Sequence, residues 1–146
     1  MRKGTRMRRV LLACAVLIVA GSAPEAVADE RLVGVWRAVS YVIDGKPIQM
    51  HGLFVFTPKY YSATVRFKLT AGPHDDSNGN AGPWTADGSR VVFKQWVQIH
   101  VRPGSATEPI LSHEGPDEPA EYRIDGKRLT LTFPSKNRYV LERLED

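Results

Sequence analysis

Two sets of side chains alternate along residues 91–102. Val91, Phe93, Val97, Ile99 and Val101 form one set, interrupted by Gln95. Lys94, Trp96, Gln98, His100 and Arg102 form the other. An extended strand puts the two sets on opposite faces. With the first set turned into a cavity, Gln95 is the one polar contact on an apolar wall, which suits a neutral, lipid-like molecule. With the second turned inward, Gln98, His100 and Arg102 become donors for a carboxylate or carbonyl. The first arrangement is the expected one, because its five aliphatic and aromatic residues gain more from burial. A bulge would reverse the choice. Tyr61, Phe93 and Trp96 add aromatic surface, so the expected ligand-contact set is Tyr61, Phe93, Gln95, Trp96, Val97, His100 and Arg102.

Other chemistry is sparse. His51, His74, His100 and His113 are scattered, and none has the i,i+2 or i,i+4 partner of a local metal pair. His74-Asp75-Asp76 is the nearest approach to a cation site, and acidic loop residues of this kind are expected to be solvated. No nucleophile-elbow serine is present, and no strand face carries a spaced pair of carboxylates. No catalytic residue, metal or cofactor is expected, and a binding role is favoured over an enzymatic one.

Compartment follows from the N-terminus. Arg2, Lys3, Arg6, Arg8 and Arg9 precede an apolar run over residues 10–20, and Ala26-Val27-Ala28 fits small-x-small cleavage. The run is far shorter than the roughly 20 residues that span a bilayer. Residues 1–28 are therefore expected to be a cleaved signal peptide, and 29–146 a single exported domain, periplasmic or secreted. Cys14 sits inside the apolar run rather than at its end, so lipoprotein anchoring there is not expected. Five of the twenty basic residues and one of the sixteen acidic residues lie before residue 29, leaving fifteen of each beyond it. A neutral mature chain gives no electrostatic case for binding nucleic acid or an anionic membrane. The only cysteine leaves with the signal, so no disulfide supports the domain.

The elements that must position these residues are strands. No helical periodicity persists beyond about two turns. Strands are expected at 33–43, 53–56, 60–69, 84–86, 91–102, 121–124, 128–133 and 138–144. Tyr61, Ala63, Val65, Phe67 and Leu69 alternate with Ser62, Thr64, Arg66 and Lys68, the pattern of a half-buried antiparallel strand. Asp87-Gly88 and Asp125-Gly126 mark hairpins. Loops are expected at 71–82 and 103–119. Eight strands with short connections suit a meander barrel.

Leu32-Val33-Gly34-Val35-Trp36-Arg37 resembles the first strand of bacterial lipocalin-like domains, the calycin-type barrels. Gly52-Leu53-Phe54-Val55-Phe56-Thr57-Pro58 with Tyr61-Ser62-Ala63 looks like their second and third strands, and Asp125-Gly126-Lys127-Arg128-Leu129 like their penultimate hairpin. Lys59-Tyr60 departs from the Asp-Gly that usually follows this Pro. The resemblance implies an eight-stranded antiparallel up-and-down barrel around a small cavity. It also implies that Trp36 packs at the closed end beneath an arginine of the last strand, Arg143 or else Arg138, with Gly34 leaving room. The expected function is binding of a small apolar or amphipathic molecule in the barrel. The alternatives are a protein-interaction module such as a protease inhibitor, presenting 71–82 and 103–119, and a barrel isomerase or cyclase, which needs a buried acid or histidine in the cavity.

Overall fold

The computed structural model describes residues 29–68, 75–101, 110–113 and 115–144, with only the backbone of 110–113. The expected signal segment and Cys14 lie outside these residues, as do His74 and Arg102.

The described chain is all β. Its strands are β1 (Gly34–Ile43), β2 (Lys46–Phe56), β3 (Tyr60–Phe67), β4 (Asp76–Asp87), β5 (Arg90–Phe93), β6 (Val97–Val101), β7 (Ile110–His113), β8 (Glu118–Asp125), β9 (Arg128–Thr132) and β10 (Arg138–Arg143). All pairings are antiparallel. β1, β2, β3 and β4 follow one another, and β8, β9 and β10 do the same, with β10 returning to β1. β4 is long enough to hold two partners on one edge. Trp84 to Asp87 run beside β5, and Ser77 to Ala81 run beside β6. β8 pairs with β5, and β7 with β6. Thus β5 with β6, and β7 with β8, are two interrupted strands, and the ten segments make the eight staves of a closed up-and-down barrel.

Three boundaries differ from expectation. The second strand begins at Lys46 rather than near Leu53. The expected loop 71–82 contains the first half of β4, and the expected loose segment 103–119 contains β7 and the start of β8. Asp76, Asn78, Gly79 and Asn80 are poor strand formers in isolation. Here Asn78, Gly79 and Asn80 are laddered on both edges, to β3 and to β6, and Asp76 on one, to β3, and tertiary pairing overrides the weak preference.

Tight turns set the register. Asp44 and Gly45 both take positive φ (49° and 78°), as a type I′ hairpin demands. Two further hairpins, β4–β5 and β8–β9, centre on Gly88-Ser89 and Gly126-Lys127, one residue later than the Asp-Gly pairs suggest.

The core lies inside the barrel. β3 alternates as its sequence dictates, with Tyr61, Ala63, Val65 and Phe67 buried and their neighbours exposed. β1 does not alternate throughout. Its register against β10 shifts between Ala38 and Ser40. Val39 is the extra residue and lies exposed, and beyond it Tyr41 joins the core. Simple period-two alternation puts Tyr41 on the face opposite Trp36. The bulge brings it against Phe67, at 5.4 Å between ring centroids, and Tyr139, at 4.8 Å.

Candidate functional site

The barrel has one end built for closure. Trp36 is fully buried there with Leu32, and its indole N–H donates to the Leu32 carbonyl at 2.8 Å. The Arg143 guanidinium covers the ring at 4.3 Å and donates to the backbone carbonyls of Val33, at 3.0 Å, and Arg31. Gly34 makes this possible: a Cβ there would stand 2.8 Å from Arg143 Nη1. Arg138, the other arginine considered for this position, begins β10 at the opposite end of that strand, beside Val42. Tyr122 ties the N-terminal segment to the same end, its hydroxyl bonded to Asp29 and to the Gly88 carbonyl. These contacts are structural.

The other end is shaped by a bulge. Trp84 pairs with Phe93, yet Ala81 pairs with Val97, so three residues oppose two. Lys94 N–H donates to the Pro83 carbonyl and Trp96 N–H to the Ala81 carbonyl, both at 2.9 Å. The backbone folds closely over Gly82, where a Cβ would lie 1.8 Å from the Lys94 carbonyl oxygen. Gln95, in the middle, is driven inward and is only 6% exposed. Its carbonyl accepts from Gly115 N–H at 2.8 Å, and its side chain rests against Gly115, where a Cβ would meet Oε1 at 2.9 Å.

The extra residue reverses the strand beyond it. Cross-strand partners share a face. Asn80 stands opposite the buried Ala63 and opposite Gln98, while Asn78 stands opposite the buried Val65 and opposite His100. Gln98 and His100 therefore face the barrel interior. Val97 and Ile99 face outward, 38% and 42% exposed. The expected inward set, Gln95 with Val97, Ile99 and Val101, is thus corrected: Gln95 is inside, and Val97, Ile99 and Val101, the last opposite Ser77 and so on the face of the exposed Arg66, are not. Trp96 is also outside, 52% exposed and packed on Tyr60 at 5.6 Å. Of the expected contact set, the structure gathers Tyr61, Phe93, Gln95 and His100 on the inner face and separates Val97 and Trp96 from them.

Three interior residues escaped sequence reading. Glu118 pairs with the buried Phe93, so its side chain enters the barrel beside Gln95, whose Nε2 donates to Glu118 Oε2 at 2.8 Å. Asn78 and Asn80 are the others. A signal was present: Asp76-x-Asn78-x-Asn80-x-Gly82 and Glu118-x-Ala120-x-Tyr122 both have strand periodicity, hidden because Gly, Asn and Pro were read as loop.

The upper interior has two unlike walls. β4, β6, β8 and the bulge present Asn78, Asn80, Gln95, Gln98, His100 and Glu118. β1, β2, β3 and β10 present Tyr41, Phe54, Phe67 and Tyr139, joined edge to face, with Phe54 and Tyr139 5.7 Å apart. Tyr61 stacks on Phe93 at 4.8 Å below them. Burial raises the Tyr61 and Tyr139 hydroxyl pKa values; the Glu118 charge raises that of Tyr61 further, and Tyr41 and then Glu118 raise that of Tyr139. Among the described residues Asn78 Oδ1, Asn80 Oδ1, Gln95 Oε1 and the Tyr61 hydroxyl are buried without a hydrogen-bond partner. Each such group costs about 1–3 kcal/mol.

Glu118 also carries a pH signature. Burial pushes its pKa above the ordinary 4.5, with the Gln95 hydrogen bond pulling partly back. The folded state then binds a proton that the unfolded state has released, so stability falls as pH rises from the unfolded value through the folded one. Glu118→Gln is expected to remove this slope. Urea unfolding of both proteins at pH 4 and pH 7.5 should show the variant gaining on the wild type at the higher pH. A constant difference would place Glu118 in solvent.

The described residues hold no group of three side chains fit for a metal ion. Asp75 pairs with Arg66 at 3.3 Å, and Asp76 is buried on the inner face of β4. A groove of about 330 Å³ lies outside the barrel, lined by Arg90, Glu121, Thr132, Phe133 and Lys136 among others. It contains none of the unpartnered polar atoms.

Fold and site together define a closed, eight-stranded antiparallel β-barrel with polar side chains collected inside one end. No family model, curated protein or solved structure matches this chain.

Proposed function

We propose that this protein is an exported, lipocalin-like carrier that binds one small amphipathic molecule in the upper barrel. The observation that carries the reading is the set of buried oxygens on Asn78, Asn80 and Gln95 without protein partners, facing an aromatic wall. A fold stabilised only by packing gains nothing from such atoms. A bound molecule with a polar group on one side and an apolar body on the other satisfies both walls. An eight-stranded barrel has room for about one small ligand. The neutral charge of residues 29–146 fits a carrier with no nucleic-acid or membrane partner beyond the signal segment.

The test is displacement of a hydrophobic fluorescent probe, with mass spectrometry of organic extracts of the protein isolated from its own cells. A co-purifying small molecule that displaces the probe is expected. Gln95→Ala should weaken binding on the order of tenfold, since one buried hydrogen bond and a wall contact are lost. Trp96→Ala, on the outer face, should leave it unchanged. No extractable molecule and no probe binding would remove the reading, as would equal effects of the two substitutions.

Glu118 supports a second reading, an isomerase or cyclase, since a carboxyl of raised pKa inside a barrel is equipped for general acid or base work. It requires the cargo to be altered. Recovery of the extracted molecule with its isomer composition unchanged after prolonged incubation counts against it.

A further inference from the structure

Resting on that carrier reading, we infer that the ligand's polar group is a cation bearing N–H donors, an alkyl- or arylammonium, held by Glu118 beside the Tyr61 and Phe93 rings. The chemistry of the interior points one way. Among the described residues, three of the four polar atoms left over inside are amide oxygens, which only accept: Asn78 Oδ1, Asn80 Oδ1 and Gln95 Oε1; the fourth, the Tyr61 hydroxyl, can accept or donate. One N–H of the Gln95 amide is already committed to Glu118. Glu118 itself forms no ion pair among the described residues, where the three salt bridges are Arg31–Asp29, Arg37–Glu142 and Arg66–Asp75. A carboxylate with one neutral donor and no cation is under-compensated. An incoming ammonium supplies the missing charge and up to three N–H groups at once.

The aromatic neighbours agree. Phe93, the strand partner of Glu118, lies 4.8 Å from the Tyr61 ring, and the Glu118 charge adds to the rise of the Tyr61 hydroxyl pKa. A cation placed against a carboxylate and beside aromatic faces gains from both. An anionic ligand would meet the Glu118 charge and a row of acceptor oxygens, and is excluded by the same arrangement. Asn80 and Asn78 occupy successive inward positions up β4, about 7 Å apart by strand geometry. They can receive further N–H groups of a polyamine or an amide-bearing amine. His100, opposite Asn78, and Asp76, buried opposite Phe67, are the other ionisable groups that the described residues place on this wall, and both lie toward the barrel mouth.

The experiment compares three probes of equal chain length, octylammonium, 1-octanol and octanoate, against the purified protein at pH 7.5 by isothermal titration calorimetry. Octylammonium is expected to bind tighter than 1-octanol on the order of tenfold or more, and octanoate weakest. In Glu118→Gln the ammonium should lose that advantage while 1-octanol binds as in the wild type, which also shows that the variant is folded with its pocket intact. Octanoate or 1-octanol binding as well as octylammonium overturns the inference and leaves the carrier reading standing. An ammonium preference that survives Glu118→Gln overturns it too. Failure of all three probes to bind overturns the carrier reading, and the inference with it.

Discussion

Trp36→Ala is expected to destabilise the barrel by about 3–5 kcal/mol, the range for deleting a large core aromatic. The residue is fully buried, and its loss removes three things together. The indole packing at the closed end disappears. The Leu32 carbonyl loses its 2.8 Å donor. The Arg143 guanidinium loses the ring 4.3 Å beneath it and keeps only its backbone acceptors. Against a total stability of about 5–15 kcal/mol for a domain of this size, the variant should unfold at a markedly lower urea concentration. Near-UV circular dichroism with a urea titration checks it. A loss below about 1 kcal/mol would mean that the closed end is held elsewhere.

Gly82→Ala is the second substitution with a large effect. The new methyl carbon would stand 1.8 Å from the Lys94 carbonyl oxygen and 3.1 Å from Trp96 N, both backbone atoms that hold the bulge. Neither can move without breaking the hydrogen bonds to Pro83 and Ala81. A cost of about 3 kcal/mol or more is expected, at the upper end for overpacking. Gly79→Ala on the same strand is the control. There the nearest atoms are 3.9 Å away, and the change should stay within about 0.5 kcal/mol. If the bulge positions Gln95, any Gly82→Ala protein that still folds should also bind the hydrophobic probe poorly. Equal stabilities for the two variants would contradict the bulge geometry.

That bulge is also where legibility in the sequence ended. The eight staves and several turns could be read from residue types, because β3 alternates cleanly and Asp-Gly pairs mark two of the hairpins. The closed end was readable through Gly34, Trp36 and Arg143. The wall of the candidate site was not. Periodicity alone cannot reveal one inserted residue, and that residue turns Val97 and Ile99 out and Gln98 and His100 in. The apolar appearance of 97, 99 and 101 argued for the wrong face. The preference for burying them is real, but it is weaker than the backbone constraint imposed at Gly82. The polar wall was further concealed by composition. Asn78 and Asn80 look like loop residues until their laddering to Val65 and Ala63 is seen, and Glu118 stands next to a proline. Val39 in β1 teaches the same lesson, since only the register shift against β10 explains why Tyr41 faces the core.

The central claim is that an amphiphile lies inside the upper barrel against the Asn78–Asn80–Gln95–Glu118 wall. It is tested most directly by intermolecular nuclear Overhauser contacts between the protein and octylammonium and 1-octanol in turn. The account predicts contacts from ligand protons to the side-chain amides of Asn78, Asn80 and Gln95 and to the rings of Tyr61 and Tyr139. Contacts confined to Tyr60, Trp96 and Ile99 on the outer face, or to the groove beside Phe133, would contradict it.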